Sequence, residues 1–376
     1  MENLDRTFRA EGLFWAASGN NGARLLDLAR NGKMTSDDVA VPLSLVQKLR
    51  LRTGQYVAGS AANAENSRQK RLVHISAIDG VPPDQRRLCA PFQRATTTSP
   101  AKAFCLETGA SPLATRVIDL FIPIGHGQRC LIVAPPKAGK TILLQQIAHG
   151  ILQNHSDCHL MVLLVDERPE EVTDFKRSAP VEIFASSNDE AIKTHVEIAR
   201  LAFARAESLV ETGRHVVLLL DSLTRLARAF NNSAGRGAGR TMTGGLDPQA
   251  LEKARQLFSL ARNTEEIGSL TLIGTALIET GSRMDEAIFQ EFKGTGNCEI
   301  VLDRKLAERR IFPAINLPAS STRREELLLG PKELQLSQLL RRSFVGLAPE
   351  DAMEGLLNRL SKTASNRDFM DLIGKH

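Results

Sequence analysis

The strongest constraint on this fold is a change of texture near residue 113. From there, uninterrupted runs rich in Val, Ile and Leu ("CLIVA", "HLMVLLVD", "VEIFAS", "HVVLLLD", "SLTLIGTAL") alternate with long stretches at helical spacing. Short apolar runs without polar alternation need cover on both faces. Helical patterns from Lys140 to Leu152 and from Asn188 to Glu211 supply it. The expected fold is α/β, a mainly parallel sheet with helices on both sides. Residues 113–376 are assigned to this domain, closed by the helical tail "AMEGLLNRLSKTASNRDFMDLIGKH".

The front of the chain reads differently. Residues 12–80 hold short apolar runs ("GLFWAA", "GARLLDLA", "GQYVAGSA", "KRLVHISAI") broken by turn formers. Among them "PLSLVQKLRL" has helical spacing. Short strands with one helix suit a small β-barrel. Residues 1–11 form a tail, and 81–112, rich in Pro, Arg and Thr, a connector. A net charge of +5 spread over 376 residues argues only weakly for a polyanionic partner. The five cysteines show no C-x-x-C spacing, so free thiols in a reducing compartment are expected. "MENLDRTFRAEGLFW" contains no leader-like apolar run, and no run is long enough to span a bilayer. A soluble cytoplasmic protein without a membrane partner is the expectation.

The stretch "VAPPKAGKTILLQQIA" carries the first chemistry. A phosphate-binding P-loop calls for Gly-x-x-x-x-Gly-Lys-Ser/Thr between a strand and a helix. Here Ala134 replaces the first glycine, and Pro135 and Pro136 follow. Ala134 is tolerable where φ is negative. The prolines remove N–H donors, so phosphate contacts should begin at Lys137. Gly139 stands where backbone approaches phosphate, Lys140 reaches the β and γ phosphates, and Thr141 offers a hydroxyl to Mg²⁺.

Two further strands end in acids. "HVVLLLD" ends in Asp221, expected to hold Mg²⁺ through water. "MVLLVDERPEEVTDF" places Asp166, Glu167 and Arg168 at a strand's C-terminal edge, where open α/β sheets bind ligands. Glu167 is the candidate to polarise the attacking water, with Arg168 orienting it. Its strand is expected to lie beside the P-loop strand. ATP hydrolysis follows from this set, with ATP and Mg²⁺ as cofactors.

Residues Ser233 to Gly245 include five glycines, Arg236 and Arg240, and no acid or aromatic. Such a loop suits a grip on a phosphodiester backbone without base reading. "ETGSRMDEAIFQEFKGTGN" offers Arg283 and Lys293 as a second candidate. In "AERRIFPAINLPASSTRREELLL", Arg323 suits an arginine inserted against a neighbouring subunit's γ phosphate. Arg310 and Phe312 suit the frame of a nucleotide, Phe312 on the adenine.

Together "PIGHGQRCLIVAPPKAGKT", "LLVDERPEEVTDF", "LLLDSLTRLARAFN", "GRTMTGGLDPQAL", "IETGSRMDEAIFQEFKGTGN" and "SSTRREELL" closely resemble the bacterial Rho termination factors. The resemblance implies a RecA-like P-loop ATPase domain preceded by an OB/cold-shock-like barrel. It implies a homohexameric ring that moves along RNA and dissociates the RNA polymerase transcription complex. Lys137, Ala138, Gly139, Lys140, Thr141, Ile142, Arg310 and Phe312 would bind nucleotide. Lys140, Glu167, Arg168, Asp221 and Arg323 would serve catalysis. Thr141, and Asp221 through water, would hold the metal. Arg240, Thr241, Gly244, Arg283 and Lys293 would meet RNA. "PIGHGQR" also resembles rotary ring ATPases, the alternative reading, along with a Rho-like protein of altered RNA loading.

The front departs from the family. Its helical N-terminal subdomain is expected to be missing. The barrel strand that carries base-stacking aromatics in the family corresponds here to "GNNGARLLD", with Ala23, Arg24 and Leu25. Stacking is worth about 1–3 kcal/mol per base, so an altered tether is expected. Phe14, Trp15 and Tyr56 are the nearby aromatics, as core or as RNA platform.

Overall fold

The computed structural model describes residues 7–16, 22–63, 69–178, 181–233 and 245–374. Strands β1 (Phe8–Ala16), β2 (Ala23–Leu26), β3 (Val39–Val41), β4 (Tyr56–Asn63) and β5 (Lys70–Ile78) close into a barrel in the order β1-β2-β3-β5-β4. Helix α1 (Leu43–Leu49) lies between β3 and β4. β3 is the strand that sequence pattern misses: three residues are too few to show alternation. Ala10, Phe14, Leu25, Val57, Leu72 and Ile75 fill the barrel. Phe14 is therefore core, while Trp15 packs outward against the ATPase domain.

The connector holds the short helix α2 (Pro83–Arg86) and strand β6 (Thr97–Thr98). β6 is already part of the large sheet, pairing with β11 (Arg262–Thr264). Next come α3 (Leu113–Phe121), β7 (Arg129–Ala134), α4 (Lys140–Asn154), β8 (Cys158–Glu167), α5 (Pro169–Ser178), β9 (Glu182–Ser187), α6 (Ile192–Glu211), β10 (His215–Asp221), α7 (Leu223–Ser233) and α8 (Pro248–Phe258). After β11, β12 (Ser269–Leu277), α9 (Arg283–Thr295), β13 (Cys298–Val301), α10 (Arg304–Glu308) and β14 (Ser321–Thr322) complete the sheet region. The tail forms α11 (Pro331–Ser343), α12 (Pro349–Leu360) and α13 (Asn366–Ile373).

The main path of the sheet runs β14-β13-β7-β12-β10-β8-β9, and β13, β7, β12, β10, β8 and β9 are mutually parallel. The α/β expectation holds. Three details need correction. The barrel begins at Phe8, inside the stretch expected to be a tail, because Phe8 to Leu13 pair with β4. The strand of Glu167, β8, is not beside the P-loop strand β7; β12 and β10 stand between them. Helix α6 begins at Ile192, not Asn188, because Glu190 folds back to accept from the Ser187 N–H at 3.0 Å and pairs with Lys33. Two apolar layers flank the sheet, one gathering α3, α4 and the tail, the other α6, α7 and α8.

Barrel and ATPase domain meet through a buried charge network on α6. Asp79, at the end of β5, accepts from Arg205 at 2.7 Å, Ser208 at 2.6 Å and Arg86 at 3.0 Å. Arg86 continues to Glu211 at 2.8 Å, and Glu211 also accepts from the Phe92 N–H at 3.0 Å and pairs with Arg52. The approach is close: a Cβ on Gly54 would lie 2.3 Å from the Ala204 carbonyl carbon.

Candidate functional site

The C-terminal ends of β7, β10 and β8 bring the nucleotide candidates together. Gly139, at φ 89°, turns the chain from β7 into α4. Positive φ is why glycine stands there. The first helical bond runs from the Leu143 N–H to the Gly139 carbonyl at 3.0 Å. The N–H groups of Lys140, Thr141 and Ile142 therefore lack intrahelical partners and form an anion cradle. Ala134, fully buried as the last residue of β7, takes the place of the absent glycine without strain.

Lys140 Nζ donates to both Asp221 oxygens, 2.5 Å to Oδ2, and lies 3.8 Å from Glu167. Thr275 on β12 donates to Asp221 Oδ1 at 2.8 Å and fixes the carboxylate. Glu167 is 2% exposed, and its Oε2 has no hydrogen-bond partner. Burial raises its pKa above the ordinary carboxylate value, with the Asp221 charge adding to the rise; Lys140 and Arg225 oppose it. A buried acid with an orphaned oxygen beside a phosphate cradle is poised to accept a proton from water. The oxygens of Thr141, in the first turn of α4, and Asp221 are hard donors that fit Mg²⁺.

Next to the cradle, a cavity of about 450 Å³ is lined by Ala138, Gly139, Ile142, Gln146 and Phe312, among others. Ile142 and Phe312 are exposed, at 60% and 46%, and give the cavity an apolar wall suited to a base. A second cavity of about 600 Å³ joins Lys137 to Arg310 and Arg304.

Other candidates fall elsewhere. Arg168 is exposed; Arg225 contacts Glu167, at 3.2 Å. Arg323 follows β14, where Thr322 pairs with Cys298 and Cys298 with Cys130 near the start of β7. About 13 Å of strand separates Cys130 from Ala134, where the P-loop departs. Arg323 is thus exposed on the sheet margin away from its own P-loop. Arg283 opens α9 and lines a cavity with Arg228, Asn232, Ser282 and Met284. Lys293 sits in the last turn of α9, about 15 Å along the helix from Arg283, over the Phe289 ring. The helix therefore holds these two cations apart. Arg240, Thr241 and Gly244 lie outside the described residues, but the described residues on either side are anchored. Asn231 bonds Gly245 and Asp247, and Arg228 donates to the buried Asp285 at 2.8 and 2.7 Å.

Sequence reading missed Arg225, Thr275 and the Arg228–Asp285 pair. Arg225 was within reach, because it stands one helical turn beyond Asp221 in "DSLTR". Thr275 sits inside an apolar run and carries no such signal.

Residues 114–322 match the model of the ATP synthase alpha/beta family, nucleotide-binding domain. Residues 24–84 match that of the Rho termination factor, RNA-binding domain. Among curated proteins, transcription termination factor Rho of Aquifex aeolicus is 47% identical over 355 residues, 93% of this chain and 81% of that protein. The Rho of Streptomyces lividans is 48% identical over 343 residues. This alignment takes in 90% of the present chain and 48% of the relative, so the chain spans about half that protein's length. Among solved structures, an ATPase from the type III secretion system of pathogenic bacteria superposes with a TM-score of 0.61 at 25% identity, covering 74% of this chain and 86% of the other.

Proposed function

The chain belongs to the Rho termination factor family, and on that premise we propose that it is an RNA-dependent ATPase working as a hexameric ring. In this reading the ring draws RNA through its centre and releases transcripts from RNA polymerase. The observation that carries it is the cluster of Lys140, Asp221 and Glu167 at the sheet's C-terminal edge, with the N–H cradle of α4 beside it.

ATP enters with its base against Phe312 and Ile142 and its phosphates in the cradle. Lys140 leaves Asp221 for the phosphate, and the freed Asp221 and Thr141 are the residues that would hold Mg²⁺. Mg²⁺ there would neutralise charge on the β and γ phosphates. Glu167 accepts a proton from the water that attacks the γ phosphorus, and Arg225 holds that carboxylate in place. Arg323 reaches the phosphate of the adjoining subunit, where charge builds up in the transition state. RNA meets the loop 234–244 and Arg283, whose anchors on α7 and α9 join at Arg228 and Asp285. Through Asp221, α7 shares its origin with the catalytic strand β10.

The test is ATP-driven displacement of a labelled DNA strand from an RNA–DNA hybrid with a single-stranded RNA tail. The intact chain is expected to displace the strand and Lys140→Ala to leave it annealed. Displacement at equal rate by Lys140→Ala, or none by an intact ring that hydrolyses ATP, contradicts the proposal.

A further inference from the structure

At the opposite, N-terminal edge of the sheet, three metal-competent side chains from separate elements converge. His126 lies in the turn before β7, His155 caps α4, and Cys158 is the first residue of β8. One ligand atom of each lies within 4.8 Å of the others. His155 and Cys158 are three residues apart across a tight turn, closed by the Cys158 N–H to the His155 carbonyl at 3.0 Å.

The second observation is independent of this proximity. His126 is 2% exposed, and neither Nδ1 nor Nε2 of its ring has a hydrogen-bond partner. Phe104 stacks on it at 4.1 Å and His215 meets its edge at 4.9 Å. A ring needed only as filler would leave two buried polar atoms unpaired, a cost that a phenylalanine would avoid.

We propose that His126, His155 and Cys158 bind one zinc-class divalent cation, at a site separate from the nucleotide centre. Two imidazoles and a thiolate are the nitrogen and sulfur set that selects zinc over Mg²⁺. Tetrahedral ligation needs ligand atoms about 3.3–3.8 Å apart, a contraction of roughly an ångström that side-chain rotation supplies. His155 Nε2 lies 3.2 Å from the Cys105 carbonyl oxygen. The same Nε2 accepts from the Cys105 N–H at 2.9 Å; metal at Nδ1 selects the tautomer whose Nε2 proton turns to the carbonyl instead, the outer-shell arrangement usual for ligating histidine. Water or the Asp157 carboxylate, whose Oδ1 is 3.9 Å from Cys158 Sγ, takes the fourth position. Bound there, the ion ties the end of α4 and the start of β8 to the turn before β7.

The experiment uses the full chain, nucleotide-free and stripped with chelator, titrated with Co²⁺ and then with Zn²⁺. One equivalent of Co²⁺ is expected to give a thiolate-to-cobalt charge-transfer band and tetrahedral visible bands, all abolished by Zn²⁺. The P-loop site cannot produce that band, because its metal donors are oxygens. Cys158→Ser is expected to lose the charge-transfer band, His126→Ala to weaken binding at least about tenfold, and Cys105→Ser to behave as the parent. Far-ultraviolet circular dichroism identifies any variant that has unfolded, and His126→Ala then stands in for Cys158→Ser. No band in the parent chain, a band that survives in folded Cys158→Ser, or unweakened binding by folded His126→Ala overturns the proposal.

Discussion

In the proposed mechanism hydrolysis depends on Glu167, and the surroundings of that residue make two predictions. Glu167→Gln keeps the size and loses the basicity, so nucleotide should bind with near-parental affinity while turnover falls by about 10²–10⁴. Separate measurements of binding and steady-state hydrolysis check this; near-normal turnover removes Glu167 from the role. Activity requires the carboxylate form, and burial raises the Glu167 pKa above the ordinary value. The rate should therefore fall, as pH is lowered, at a higher pH than an ordinary carboxylate would give. Arg225 opposes the rise from 3.2 Å, so Arg225→Ala should move the acid limb of kcat/KM to still higher pH. An unmoved or lowered limb would show that Arg225 does not tune this acid. The sequence pointed to Lys140, Glu167 and Asp221 through motif order, and the structure gathers all three. It did not point to Thr275 or Arg225, whose partners become neighbours only after β12 and α7 pack over the strand ends.

At the scale of elements, strands β7, β8, β9, β10 and β12 and helix α4 were legible because unbroken apolar runs and the P-loop mark them. β3, β6 and β14 were not, since two or three residues carry no periodicity and owe their conformation to long-range pairing. Strand order was also hidden: nothing local tells β8 that β12 and β10 will separate it from β7. The junction between β5, α2 and α6 is another product of packing. Its buried Asp79 and Arg86 lie far along the chain from Arg205 and Glu211. Removing one member of such a network leaves its partner buried and unpaired, typically about 3–5 kcal/mol. Glu211→Ala, which removes one of the two carboxylates on the buried Arg86 and the acceptor of the Phe92 N–H, should lower the denaturation midpoint clearly more than the exposed-pair change Glu197→Ala. Equal midpoints for the two variants would mean that the junction contributes no more than a surface ion pair.

At the scale of the whole molecule, the proposed motor is joined to a barrel whose residues 23–25 are Ala, Arg and Leu. Phe14 is enclosed in the barrel, Trp15 is partly buried against the ATPase domain, and β2 carries the half-buried Arg24 where stacking aromatics would stand. RNA binding should therefore be electrostatic, with a steep salt dependence and little base preference, as titrations of homopolymers at several salt concentrations will show; a shallow dependence with strong base selectivity would restore a stacking platform. In the proposed ring Arg323 meets a neighbour's phosphate, since its own P-loop lies beyond the length of β7. Mixing Arg323→Ala with Lys140→Ala subunits should then recover part of the activity that each variant lacks alone. The absence of recovery in verified mixed rings would place Arg323 outside the catalytic interface. The most direct measurement of all is the steady-state ATPase rate of the assembled intact chain, with and without RNA. Hydrolysis that rises steeply on adding RNA, and is abolished by Lys140→Ala in its presence, is what the account predicts; equal hydrolysis with and without RNA would contradict it.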